Sequence, residues 1–200
     1  MKIVGLTGNT GSGKSTVSRM LELRGGYIID ADAISHDVIV RGADAYNEVL
    51  EYFGDKILDE DLEIDRKKLG QIVFSNKRKL NELSKMIHKH VINISQEKIR
   101  AMQKENMSSF IVIDAPLLIE AKMHLFCDEV WVVYADEDTR IRRIMRRENM
   151  NREDVVARVQ SQTQYEELKK YATRVIYNND EMEQLHIQIK YALLNFIEEK

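Results

Sequence analysis

The residues from 8 to 16 carry the clearest chemistry in the chain. Gly8-Asn9-Thr10-Gly11-Ser12-Gly13-Lys14-Ser15 satisfies the spacing G-x-x-x-x-G-K-[ST], and Thr16 follows. Glycines here let backbone amides turn inward around a phosphate, where a Cβ would obstruct the turn. Lys14 can reach the β- and γ-phosphates of a nucleotide, and the Ser15 hydroxyl suits a magnesium ligand. Gly11, Ser12, Gly13, Lys14, Ser15 and Thr16 are therefore the expected nucleotide cradle. A helix opening near Lys14 adds the positive end of its dipole to the same anion.

Such a loop serves GTPase switches, motor ATPases and small-molecule kinases. No guanine-specific Asn-Lys-x-Asp is present, since Asn76-Lys77-Arg78-Lys79 lacks the acid, and the chain is short for a motor core. Two constellations favour a kinase. Ile29-Asp30-Ala31-Asp32 puts two carboxylates at the end of a β-rich run, and a carboxylate near a γ-phosphate can accept the proton of an attacking hydroxyl. If the strand continues, Asp30 and Asp32 share one face. The alternative is that one or both cap a helix starting near Ala33. Second, seven of the 14 arginines fall within 140–158: Arg140, Arg142, Arg143, Arg146, Arg147, Arg152 and Arg158. Opposed only by Glu148, Glu153 and Asp154, they leave that segment at +4 in a chain of net charge -3. Arg143 and Arg147 are helical i,i+4 neighbours, and guanidinium groups suit the charge of a moving phosphoryl group. The competing reading is a solvated basic face.

The elements that would position these groups alternate. Residues 3–7, 27–30, 110–114, 130–134 and 175–177 are short, continuous apolar runs, as expected for strands buried on both faces of a parallel sheet. Val17, Met20 and Leu21 at helical spacing follow the loop, with Gly25 or Gly26 to end that helix. Met182, Leu185, Ile189, Leu193, Phe196 and Ile197 predict an amphipathic closing helix. The alternation predicts an α/β fold with a five-stranded parallel sheet. Residues 34–108 exceed one crossover, and helical patterns around 44–53, 66–74 and 77–104 predict a helical insertion on the carboxyl-end rim of the sheet. The arginine-rich stretch, about 138–170, is expected to be a closing lid with two helices, Tyr165, Leu168 and Tyr171 packing its second helix. The expectation is one domain over 1–200 that includes both.

Composition sets the outer limits. The 200 residues are 44% hydrophobic and 32% charged, with one proline and one cysteine, Cys127. An intrachain disulfide and a cysteine zinc cluster are excluded. Thirty-three acids against 30 bases argue against a nucleic-acid surface held by bulk charge. No secretory leader or membrane-spanning run is evident, so a cytoplasmic enzyme is expected. His88 and His90, two apart on a helix, do not suggest a metal site; His88 is read as an acceptor contact or a helix-end residue. Cys127 is expected to be buried and unreactive, and Trp131 to be core rather than a stacking platform. Asp114, ending the third strand, is a candidate for holding magnesium through water, or for ordering the phosphate loop or the Ala115-Pro116 turn.

Along nearly its full length the chain resembles the dephospho-CoA kinase family. The matching residues are Gly5-Leu6-Thr7-Gly8 running into Gly11-Ser12-Gly13-Lys14-Ser15-Thr16, then Ile29-Asp30-Ala31-Asp32, Phe53-Gly54, Asp65-Arg66, Val73-Phe74 and His88. Asp114-Ala115-Pro116-Leu117-Leu118 with Glu120 follows, then Arg143, Arg147, Arg158, Gln162, Val175-Ile176 and Asn178. The resemblance implies a three-layer P-loop kinase fold and transfer of the ATP γ-phosphate to the ribose 3′-hydroxyl of dephospho-CoA, the last step of coenzyme A synthesis. It implies Asp32 as the hydroxyl-polarising base, Lys14, Arg143 and Arg147 as catalytic groups, and Asp32, His88, Asp114 and Leu117 at the acceptor. ATP with magnesium is the expected donor, held by Ser15 and Asp114. Partners would be ATP and dephospho-CoA, with no nucleic acid or membrane, and the protein a monomer with a homo-oligomer left open. Lys89 and Arg41 stand where the family usually has proline, and Thr173 where it usually has aspartate; these touch helix starts and acceptor contacts, not the activity class. Two other readings share the loop and lid: a different small-molecule kinase, for nucleosides or nucleotides, and a nucleotide-binding regulator without turnover.

Overall fold

Strand β1 (Ile3–Thr7) is buried along its whole length and has a parallel partner on each side. The structure, a computed structural model, describes residues 1–105, 108–179 and 181–198. β3 (Phe110–Asp114) pairs with β1 so that Ile3 faces Ile111 and Leu6 faces Asp114. β4 (Glu129–Tyr134) lies on the other side, with Val4 opposite Glu129 and Thr7 opposite Val132. β2 (Gly26–Asp30) and β5 (Arg174–Tyr177) form the edges, giving the order β2-β3-β1-β4-β5 in a five-stranded parallel sheet. Each strand begins within one residue of its predicted start. The uninterrupted apolar runs have their explanation in β1 and β3, where every residue is buried. The chain moves to one side of β1 through β2 and β3 and to the other through β4 and β5, so the order reverses at β1. Ligands in open α/β sheets bind at the carboxyl end of such a reversal, and residues 8–13 leave β1 there.

The chain divides into two compact units, Met1–Ile29 with Met102–Lys200, and Asp30–Ala101. In the first, α1 (Lys14–Glu22) follows the glycine loop. Its last turn runs through Leu23 and Arg24 to Gly25, whose φ of 90° is left-handed and favours glycine.

The second unit holds α2 (Ala31–Asp37), α3 (Tyr46–Phe53), α4 (Arg66–Phe74) and, up to Ala101, the long α5 (Lys77–Glu105). The last three lie where sequence periodicity predicted helices. The Asp65 side chain caps α4 by accepting from the Lys67 and Lys68 amides at 2.8 and 3.1 Å. His90 Nε2 lies 2.9 Å from Glu48 Oε2 and ties α5 to α3, an arrangement that lowers the Glu48 pKa. His88 lies in the interior of α5, not at a helix end, because the helix continues through Glu105.

In the first unit α6 (Glu137–Glu148) and α7 (Arg152–Gln160) follow β4. Ile141, Ile144, Val155 and Val159 bury a small core between them. Tyr165 and Leu168 do not belong to that second helix. They lie on a separate short helix, α8 (Tyr165–Lys169), since Asn151 and Gln164 each begin a new helix. Tyr171 lies beyond α8, exposed, edge-on to His124 at 5.2 Å between ring centroids.

The closing helix α9 (Met182–Glu198) buries Leu185, Ile189, Ala192, Leu193 and Phe196, whereas Met182 and Ile197 are exposed. It shares with α1 a core cluster against one face of the sheet, including Leu6, Val17, Leu21 and Val112. Phe196 meets Trp131 and Phe110 edge-on, with centroids 6.1 and 6.3 Å away. Trp131 is fully buried and donates to Glu129 at 2.5 Å, a core residue as expected. Cys127 is only half-buried, and burial chiefly, with the Asp128 charge, pushes its thiol pKa up to about 12.

Two outcomes follow from this packing. Phe196→Ala should lower unfolding free energy by roughly 3–5 kcal/mol in urea titrations, the cost of an unfilled aromatic site; a loss below about 1 kcal/mol would mean that the site collapses. Cys127, a thiol at pH 8, should react with a thiolate-selective reagent much faster after unfolding than before. Equal rates would show that the native environment does not protect it.

Candidate active site

Three consecutive carbonyls of the glycine loop are engaged from outside it. Arg140 Nε donates to Thr10 O at 3.0 Å, Arg143 Nη1 reaches Gly11 O at 3.4 Å, and Asn178 Nδ2 donates to Ser12 O at 2.7 Å. The first two come from α6 and the third from the end of β5. A carbonyl drawn outward leaves the peptide amides free to turn the other way, the requirement for an anion nest. Gly11 and Gly13 have φ of 82° and 90°, so non-glycine residues would be strained at both. Space forbids them as well: a Cβ on Gly13 would collide with Asn178 Nδ2, and one on Gly11 would stand 2.9 Å from Arg140 O.

Gly13, the cap of α1, has no side chain with which to close that helix end, and the first turn contains no acid. The helix dipole thus favours an anion at this end, while Thr16 N and Val17 N donate to Gly13 O at 3.0 and 3.1 Å. Lys14 donates to Asp114 Oδ1, a buried carboxylate at the end of β3. Asp114 therefore orders the loop lysine, one of the alternatives its position allowed. The Ser15 hydroxyl is on an exposed residue one position on, and Thr16 is half-buried. Ser15 and Asp114 offer oxygen donors, the chemistry that magnesium prefers, so these residues fit that ion. Thr7 Oγ1 donates to Pro116 O at 3.0 Å and Ala115 N to Leu6 O at 3.0 Å, fastening the turn after β3 to β1. Leu117, in that turn, is 52% exposed.

The two expected lid arginines have different surroundings. Arg143 is half-buried against the loop, and burial lowers its pKa from the ordinary value. Arg147, one turn on, pairs with Glu148 at 2.5 Å, and Glu148 also accepts from Arg158 at 2.5 Å. Arg147 is thus held in a surface ion triplet.

The carboxylates after β2 divide their roles. The strand ends at Asp30, whose side chain accepts from Ala33 N at 2.9 Å and caps α2. Asp32 lies in the first turn of α2, so the two acids do not alternate along one strand. The reason is local: the cap satisfies an amide that the strand would leave unpaired. His88 and Asp32 both lie in the second unit.

Sequence spacing identified the loop but gave no role to Arg140, Gln162 or Asn178. Arg140 was one of seven arginines, and Asn178 and Gln162 were family matches only. Their contacts span 130, 152 and 166 positions in the chain, beyond any local pattern.

Comparison with known proteins agrees with this geometry. The sequence pattern of the family described as dephospho-CoA kinase matches residues 2–184. A dephospho-CoA kinase of Carboxydothermus hydrogenoformans is 44% identical over 189 residues, covering 94% of this chain and 91% of the relative. One from Staphylococcus aureus is 36% identical over 199 residues, covering 100% and 93%. Among solved structures, TT1252 from Thermus thermophilus superposes with a TM-score of 0.82 at 30% identity, covering 97% of each chain. Dephospho-CoA kinase from Campylobacter jejuni gives 0.72 at 28% identity over 98% of each chain. A shikimate kinase from Acinetobacter baumannii, at 0.54 and 16% identity, shares the fold alone. With its phosphate loop, its Lys14–Asp114 pair and a match covering most of its length, the chain belongs to the dephospho-CoA kinase family.

Proposed function

We propose that this protein transfers the γ-phosphate of ATP to the ribose 3′-hydroxyl of dephospho-CoA, giving coenzyme A and ADP. The observation that carries the reading is Lys14 held by Asp114 at the start of α1, beside loop carbonyls drawn outward, in a chain of this family. In the reaction the 3′-oxygen forms a bond to the γ-phosphorus as the bond from that phosphorus to the β-bridging oxygen breaks. The hydroxyl proton passes to the Asp32 carboxylate, and ADP leaves with the electron pair of the broken bond.

Lys14 exchanges Asp114 for the β- and γ-phosphate oxygens when ATP enters, and the amides of Gly11, Gly13, Lys14 and Ser15 bind the β-phosphate, those of Ser12 and Thr16 donating to Asn9 O and Gly13 O at 3.0 Å each. Arg143 adds positive charge beside the loop, where the transferring group develops negative charge. Arg147 serves the same charge once it leaves Glu148. Ser15, and Asp114 through water, would hold the magnesium that arrives with ATP, and that ion would supply positive charge to the phosphates. The reading gives residues 34–108 the role of acceptor-binding insertion within a single kinase domain, with His88 and Leu117 as acceptor contacts. It gives about 138–170 the role of lid. It also takes the protein as a cytoplasmic monomer whose partners are the two substrates, with no nucleic acid or membrane. Among the described residues no helix is long and apolar enough to cross a membrane.

Incubation with magnesium-ATP and separate acceptors tests the reaction. ADP and a new 3′-phosphate should form with dephospho-CoA. Transfer to a nucleoside and none to dephospho-CoA would sink the proposal, and ATP binding without turnover on any acceptor would favour a regulator. Asp32→Asn should reduce kcat by about 10²–10⁴, the usual worth of a general base; near-normal turnover would leave Asp32 only a helix residue. Arg143→Ala and Arg147→Ala should each cost up to about 10³ in kcat if they meet the moving phosphate. A wild-type rate for Arg147→Ala would confine that side chain to its surface ion triplet.

A further inference from the structure

Two consecutive residues of the glycine loop meet two consecutive residues of the segment between α7 and α8. Asn9 Nδ2 donates to Thr163 O at 3.0 Å, and Gln162 Nε2 donates to Thr10 Oγ1 at 2.6 Å. Thr163 Oγ1 in turn donates to Glu120 Oε1 at 2.8 Å, after β3. Arg140 closes the ring by donating to Gln162 Oε1 at 2.5 Å and to Thr10 O at 3.0 Å. Asn9 and Thr10 occupy positions that the loop pattern leaves unspecified, so nothing in the phosphate chemistry demands these two residues.

The orientation of Gln162 is forced. A guanidinium has only donors, so the glutamine must turn its oxygen to Arg140 and hence its amino group to the Thr10 hydroxyl. Arg140 is only 9% exposed, and among the described residues no carboxylate forms a salt bridge with it. Its hydrogen bonds go to two neutral acceptors, the Thr10 carbonyl and the Gln162 amide, with the Glu137 charge acting on it from the same helix. Neutral acceptors keep an arginine in place without cancelling its charge, whereas a carboxylate there would oppose an incoming polyphosphate.

We propose that Gln162, through Thr10 and Arg140, is a positioning residue that holds the phosphate loop in its nucleotide-binding shape. It acts on ATP affinity without touching the nucleotide. Because Gln162 lies within the proposed lid, just after α7, the same contacts couple the placement of that segment to the loop. This inference rests on the proposed function only for its kinetic readout, since binding of ATP can be measured with no acceptor present.

The variants are Thr10→Val, which removes the hydroxyl at constant shape, Gln162→Leu, the two together, and Thr10→Ser. ATP dissociation constants come from calorimetry without acceptor, KM and kcat from ADP formation with dephospho-CoA, and Tm from thermal melts. Thr10→Val and Gln162→Leu should each weaken ATP binding about tenfold, the loss of a partly buried hydrogen bond. The double variant should bind ATP about as Gln162→Leu does, because that substitution already removes the Thr10 bond together with the one to Arg140. Thr10→Ser should recover most of what Thr10→Val loses, and KM for ATP should change more than kcat. Unchanged ATP affinity in both single variants, strictly additive losses, or a lowered Tm with normal affinity would each overturn the proposal. Absence of turnover on dephospho-CoA with these affinity changes present would overturn the substrate reading and leave this one standing.

Discussion

A loop that binds polyphosphate must point its amides at the ligand, so its carbonyls need partners elsewhere. In this protein that need is met residue by residue: Arg140 takes Thr10 O, Arg143 approaches Gly11 O and Asn178 takes Ser12 O. Buried carbonyls without such partners would cost free energy comparable to a lost hydrogen bond each, and the loop would relax toward a conformation that pairs them internally. The remaining architecture can be understood as the means of bringing those three donors to one place. β4 leads into α6, which carries Arg140 and Arg143, and β5 leads to Asn178.

The parallel sheet provides the common frame. β1 is paired on both sides, and its register places Leu6 opposite both Asp114 and Trp131. The same register that buries Trp131 in the core therefore sets Asp114 beside the loop, where it holds Lys14. Stability and site geometry are linked through β1, since a slip of one residue would move both together. The core of α1, α9 and the sheet face then fixes the helix whose first residue is the loop lysine.

Much of this was legible in the chain. Strand positions followed from continuous apolar runs, and the long helices of the second unit followed from periodicity. The loop followed from its glycines. Other features were not legible locally. Asp30 and Asp32 offered either a shared strand face or a helix cap, and the sequence could not choose, because both readings need the same two acids. The Ala33 amide decided it by taking Asp30 as its cap. Likewise Arg143 and Arg147 look equivalent at i,i+4. Glu148 and Arg158 make them unequal by holding Arg147 in an ion triplet, while Arg143 rests against the loop.

By itself, then, the sequence determined the phosphate chemistry, the α/β class and the family resemblance, since each depends on residue type and short spacing. Only the tertiary structure decided which side chains hold the loop open. Thr10 finds Gln162, and Ser12 finds Asn178, across more than 150 positions. Hydrogen bonds of that separation depend on where folded elements end, and no local pattern of residues encodes those meeting points.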